Sequence, residues 1–237
     1  PSLFILMRKR ILFLLLTGIT QTVFSQTDTL STPVYASRTA TDAGDPLFNG
    51  REHINYLSSI EGFAYYQSPE WQTGTLVFQD IAYRNLLLKY DLVADELIVR
   101  HINGFTGVAL FTPRIQSFVI GNRRFVYLSF VAGSSLQPGI YQELSKGKLS
   151  LYAKHSKSIK ETVSLGGIER QFIDRNNYYV FLGGNYYPVR KEKDMMDLIQ
   201  EKRNEIKAFL KESGIKYKAD PEAALKKIVD YYNQLSR

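Results

Sequence analysis

Between residues 54 and 189 the chain carries ten short runs of β-forming residues and no helical segment between them, and this spacing limits the fold most. The runs are GTLVFQD, IAYRNLLLKYDL, ELIVRHI, GVALFT, RIQSFVIG, RRFVYLSF, GIYQELS, KLSLYAKHS, ERQFI and YYVFLG. They recur every 8 to 14 residues or so, too close for crossover helices, so an antiparallel meander is expected rather than a parallel sheet. Gly121-Asn122, Lys146-Gly147 and Gly183-Gly184 supply the tight turns. A meander of that many strands curls, closes into a barrel or splits into a sandwich.

The last turn fixes a register. With the turn at Gly183-Gly184 in NNYYVFLGGNYYPV, Phe181 opposes Tyr186, Val180 opposes Tyr187, Tyr179 opposes Pro188 and Tyr178 opposes Val189. Opposed residues share a face. One face then carries Tyr178, Val180, Leu182, Tyr187 and Val189, the other Tyr179, Phe181, Tyr186 and Pro188, and neither is polar. The core is expected on one side, and the helix that follows Arg190 is placed to cover the other.

After residue 190 the period changes to that of a helix. Met195, Leu198, Ile199, Ile206, Phe209 and Leu210 form one apolar stripe, which Gly214 terminates. Asp220 and Pro221 then open a second helix with the stripe Leu225, Ile228, Val229, Tyr232 and Leu235. The expected class is α+β and mainly β, with an antiparallel β domain over residues 51–190. Two amphipathic helices over residues 191–237 pack on it, because one-sided helices need a surface to cover.

The N-terminus places three cations, Arg8, Lys9 and Arg10, before an apolar run at residues 11–16, followed by Val23 and Ser25. That pattern predicts a signal peptide over residues 1–25, with Met7 as a possible start, and an exported chain. The apolar run is shorter than the roughly 20 residues that span a bilayer. Residues 26–50, rich in Thr, Ser, Asp and Ala, read as a flexible tether. With no cysteine, the chain has no disulfide framework or thiol nucleophile. The net charge of +7 falls to +4 without the three leader cations, which does not argue for a nucleic-acid partner.

Motifs for catalysis do not emerge. His53, His101 and His155 are too widely spaced for a local metal motif, and no nucleophile elbow or phosphate-binding glycine loop occurs. Asp80, Asp91, Asp95, Glu96, Glu143 and Asp174 fall near strand ends, where a pair of acids could converge only through the fold. Lys146, Lys148, Lys154, Lys157 and Lys160 read as a solvated strand face with few acids nearby. Aromatic rings are the remaining signal. The candidate binding surface is Tyr179, Phe181, Tyr186, Pro188, Trp71, Tyr65 and Tyr66, since Tyr and Trp bury large areas while keeping a polar tip.

In LLLKYDLVADELIVRH, GIYQELSKGKLSLYAKH, NNYYVFLGGNYYPV and ADPEAALKKIVDYYNQL, the chain resembles exported envelope proteins of bacteroidete-type Gram-negative bacteria, from about Leu47 onward. The resemblance implies a periplasmic or outer-membrane-peripheral location and an architecture, with no activity or cofactor attached. The expected function is a non-enzymatic adaptor for another envelope protein, with an outer-membrane complex as a candidate partner. The alternatives are a barrel-like carrier of a small apolar or lipid ligand and, further off, a sugar- or peptide-directed hydrolase. A glycan is a further candidate ligand. No transmembrane segment is expected after signal cleavage.

Overall fold

Rolling of a long sheet, rather than closure, shapes the domain. The computed structural model describes residues 36–40 and 42–236. The segment read as a signal peptide and the first part of the tether, residues 26–35, lie outside the described residues. Thirteen described strands form one sheet: β1 (Ala36–Arg38), β2 (Arg51–Glu52), β3 (Ile60–Glu61), β4 (Gln72–Phe78), β5 (Ile81–Asp91), β6 (Glu96–Arg100), β7 (Gly107–Ala109), β8 (Ile115–Ile120), β9 (Arg123–Leu128), β10 (Gly139–Ser145), β11 (Ser150–Ser164), β12 (Gly167–Leu182) and β13 (Asn185–Val189). Their order is β13-β12-β11-β10-β9-β8-β4-β5-β6-β7-β2, antiparallel throughout. β1 on β5 and β3 on β12 add parallel pairs, which makes the sheet mixed.

The sheet curls until the end of β5 meets β11, where the Lys157 N–H donates to the Leu92 carbonyl at 2.9 Å. Its edge strands do not join, so it is an open sheet and not a barrel. Side chains fill the curl. Phe118 and Phe125 stack with centroids 4.7 Å apart, and Tyr66 and Tyr90 set their rings against Phe125 at 5.0 and 5.4 Å. Leu76, Leu88, Leu97, Val99 and Ile140 complete this first core at 1% exposure or less. Each such side chain contributes about 1.5–3 kcal/mol by leaving water.

The start of the domain departs from the sequence expectation. Where residues 26–50 read as a tether, β1 pairs with the beginning of β5, and Leu47 is fully buried in the first core. The Asp45 side chain accepts from the Leu47 N–H at 2.9 Å and from the Tyr83 hydroxyl at 2.9 Å, and pairs with Arg38 at 3.0 Å. Polar composition concealed a segment whose polar groups have partners in the fold.

Two runs read as separate strands, ERQFI and YYVFLG, are parts of one strand, β12, and its partner β11 extends well past KLSLYAKHS. Fifteen consecutive pairs, from Ser150↔Phe181 to Ser164↔Gly167, hold them together without a register shift. The polar stretch between the runs has exposed side chains, so pairing rather than burial keeps it extended.

The helices are α1 (Glu192–Leu198), α2 (Arg203–Ser213) and α3 (Pro221–Leu235). The first expected helix is broken in two at Ile199, where φ −119° and ψ 43° leave helical space, and a short 3-10 turn follows. Arg203 caps the freed end by donating to the Met196 carbonyl from Nε and Nη2 at 3.3 and 3.2 Å. Gly214 ends α2 in the left-handed conformation, φ 66°, and Asp220 caps α3 by accepting from the Ala223 N–H at 2.9 Å. The stripes meet the sheet in a second core of Leu149, Leu151, Val180, Val189, Met195, Ile199, Ile206, Leu225, Ile228 and Val229. Phe209 and Tyr231 stack at 4.1 Å where α2 touches α3. Among the described residues no helix is long and apolar enough to cross a membrane.

Candidate binding surface

The β12–β13 hairpin has the register its turn specifies: Phe181↔Tyr186, Val180↔Tyr187, Tyr179↔Pro188 and Tyr178↔Val189. Gly183 and Gly184 adopt φ 58° and 85°, the left-handed pair that a two-residue hairpin turn of this twist needs and that side chains resist. The helices cover the face of Tyr178, Val180, Leu182 and Val189. They therefore share a side with the core expected there, and leave the second face of Tyr179, Phe181, Tyr186 and Pro188 without them.

That second face is a half-open aromatic surface. Tyr141 and Tyr152 on the adjoining strands continue it, and Leu136 from the β9–β10 connection packs against it. Tyr141 meets Tyr179 edge-on at 5.7 Å, Tyr152 meets Tyr186 at 5.8 Å, and Phe181 meets Tyr186 at 4.8 Å. These spacings are those of favourable aromatic pairs. Tyr141 and Tyr152 are buried at the base, while Tyr179, Phe181, Tyr186 and Pro188 are only half buried. Burial, with Glu143 nearby, pushes the Tyr152 hydroxyl up to about 12, so it stays a neutral donor at physiological pH. Pro188 sits on the edge strand of the sheet, where a residue without an N–H is tolerated. Arg124 and Glu143, 3.5 Å apart, give the neighbouring strands a charged rim.

The other three candidates lie elsewhere. Tyr65 and Tyr66 are buried, at 7% and 6% exposure, and do not form a surface with the hairpin. The Tyr66 hydroxyl donates to Gln142 Oε1 at 3.0 Å, and its ring is in the first core. Tyr65 faces His53 Nε2 at 2.8 Å and donates to Asn55 Oδ1 at 3.0 Å. Trp71 is half buried, and the Lys89 ammonium lies between its ring and that of Tyr65, 4.8 and 4.7 Å from the centroids. Burial lowers the Lys89 pKa, and the two ring faces stabilise its charge. These aromatics hold the fold together at a site already filled by the chain's own lysine.

A polar recess of about 320 Å³ gathers Arg123, His155, Lys157, Asp174, Asn176 and Glu222. His155 is 7% exposed and sits between Gln142 Oε1 and Asn176 Oδ1, each 2.8 Å from one ring nitrogen. Burial lowers its pKa against the pull of Asn176 and Glu222. Each ring nitrogen faces a side-chain oxygen and the ring is buried, so it is closed off from a substrate. Arg123 and Glu222 face each other at 3.6 Å. The Lys157 ammonium donates to the Phe63 carbonyl at 2.8 Å, with Asp174 at 3.5 Å. The arrangement is a set of closed pairs under the N-terminus of α3.

The lysines read as a solvated face are likewise drawn into the fold in part. Lys154 pairs with Asp95 and donates to the Ile140 carbonyl at 3.0 Å, with its side chain 18% exposed. Asp95, reached from a distant turn, could not be matched to it from spacing alone. A recess of about 540 Å³ borders Asp95 together with Arg51, Glu96, Phe111 and Tyr127, and the Arg51–Glu96 ion pair lines it.

No family model, curated protein or solved structure matches this chain.

Proposed function

We propose that this chain is an exported, non-catalytic accessory protein that binds another envelope protein through the open aromatic face of β12 and β13. The observation that carries the reading is the cluster of Tyr179, Phe181 and Tyr186, half buried on the sheet side opposite the helices. Rings presented on paired strands are already ordered, so docking costs little side-chain entropy, and aromatic anchors with polar tips dominate many interfaces. The location rests on Arg8 to Arg10 and the apolar run after them. An internal lipid site has little support, because the sheet stays open and its curl is filled by Tyr90, Phe118 and Phe125.

A photo-crosslinking amino acid placed at Tyr186 in living cells tests the reading against the same probe at Lys207 on exposed α2. The expected result is one defined envelope-protein adduct from position 186 and none from 207. No adduct, or the same pattern from both sites, overturns it.

A further inference from the structure

The β11–β12 hairpin outruns the sheet that supports it. β10 accompanies β11 only as far as Ala153, and the Lys157 N–H bond to Leu92 is the last main-chain contact on that side. On the other edge, β3 pairs with Arg170 and Gln171 alone beyond the end of β13. Over residues 158–164, about 23 Å of strand, the outer edge of β11 has no neighbouring strand among the described residues.

One face of this arm is apolar. Register places Ile159 opposite Phe172, Glu161 opposite Arg170 and Val163 opposite Ile168. The ring of Tyr56 covers Phe172 at 5.4 Å. Beyond it Ile159, Val163 and Ile168 are 39, 75 and 55% exposed, and Leu165 at the turn is fully exposed. Exposed edges are usually blunted by a proline, a bulge, a very short strand or charged side chains, lysine above all. This one has fifteen regular pairs and no proline, with Lys160 and Glu161 as its charges.

The edge sequence, SIKETVS over residues 158–164, is nearly palindromic about Glu161. We propose that two copies of this chain pair antiparallel along β11 about a two-fold axis at Glu161, making the two arms one four-stranded sheet. Ser158 then opposes the partner copy's Ser164, Ile159 opposes Val163 and Lys160 opposes Thr162, each twice. A two-fold axis sets each residue against its mirror position in the partner copy, so the near-palindrome brings like side chains together. The apolar stripes of both arms lie side by side on one face. The like charges at the axis are offset within each arm, because Arg170 Nε holds Glu161 Oε2 at 2.8 Å. This contact uses none of the aromatic face on β13, so the two surfaces can be occupied together.

The absence of cysteine makes the test direct. In the full chain, Glu161→Cys places two thiols opposite each other across the axis, with Cα atoms about 4.5–5.5 Å apart, inside the range for a disulfide. Mild oxidation should convert E161C to a covalent dimer, while S158C, whose two copies lie at opposite ends of the paired segment, should stay a monomer. Sedimentation of the wild-type chain should reach twice the single-chain mass as concentration rises. The I159K/V163K double variant, with an unchanged circular dichroism spectrum, should remain at the single-chain mass. An E161C chain that does not cross-link, an S158C chain that cross-links as fast, or a wild type monomeric at every concentration overturns the proposal.

Discussion

The base and the tip of the β11–β12 hairpin are built from the same two strands under one uninterrupted register, yet their surroundings differ completely. At the base Leu151 and Val180 are fully buried against the helices, and Tyr152 and Tyr179 pack on the opposite face. At the tip Glu161, Val163 and Ile168 are exposed. Main-chain pairing sets how far a strand runs, and coverage sets how much it stabilises. Surfaces for partners are therefore best sought where pairing continues and coverage stops.

The comparison breaks most easily at the base. Leu151→Ala should destabilise the domain by about 2–5 kcal/mol, because the cavity lies between sheet and helices and neither can collapse freely. Urea unfolding measures this, and a loss below about 1 kcal/mol would show that the helices do not depend on the sheet. At the aromatic end, Gly184→Ala forces a side chain to adopt φ 85° and should cost about 1–3 kcal/mol. The same measurement applies, and an unchanged midpoint would mean that the turn can change type.

Acid should act on the buried polar recess beside the base. Burial depresses His155 below its usual pKa, so the unfolded chain binds the proton more readily than the folded one. The stability contributed by the neutral ring is complete above about pH 6.5, the ordinary histidine value, and falls as pH drops through the window down to the folded value. Unfolding midpoints at pH 7.5 and 5.0 should differ less in His155→Gln than in the wild type. A residual acid effect is expected from His53, which burial also depresses. Equal differences in the two proteins would place His155 outside this linkage.

Local chemistry made much of the architecture legible. Gly183-Gly184 gave the hairpin register, Gly214 and Asp220 gave the helix ends, and the period of Leu225, Ile228 and Val229 gave the buried stripe of α3. Long-range geometry was not legible. Tyr65 and Tyr66 look like surface aromatics in sequence and are buried, Tyr66 in the first core and Tyr65 against His53 and Asn55. Asp95 and Lys154 pair across 59 positions, and the Leu47 site exists only once the first core has assembled. The projecting arm was hidden because its strands lack the alternation that burial imposes. The near-palindrome of residues 158–164 was visible in the chain, but it acquires meaning only when that segment is known to be a free edge.

The smallest effect is the sharpest test of the contrast. Val163→Ser removes an apolar group already 75% exposed, so in dilute protein it should shift stability by no more than about 0.5 kcal/mol. Leu151→Ala should remain several times more costly under the same conditions. In concentrated protein the outcomes diverge, since a contact made by the folded state alone stabilises it by mass action. The wild type should then gain in melting temperature with concentration, and Val163→Ser should gain less. If Val163→Ser were as damaging in dilute protein as Leu151→Ala, the tip would have to be covered within a single copy, and the distinction between base and tip would fall.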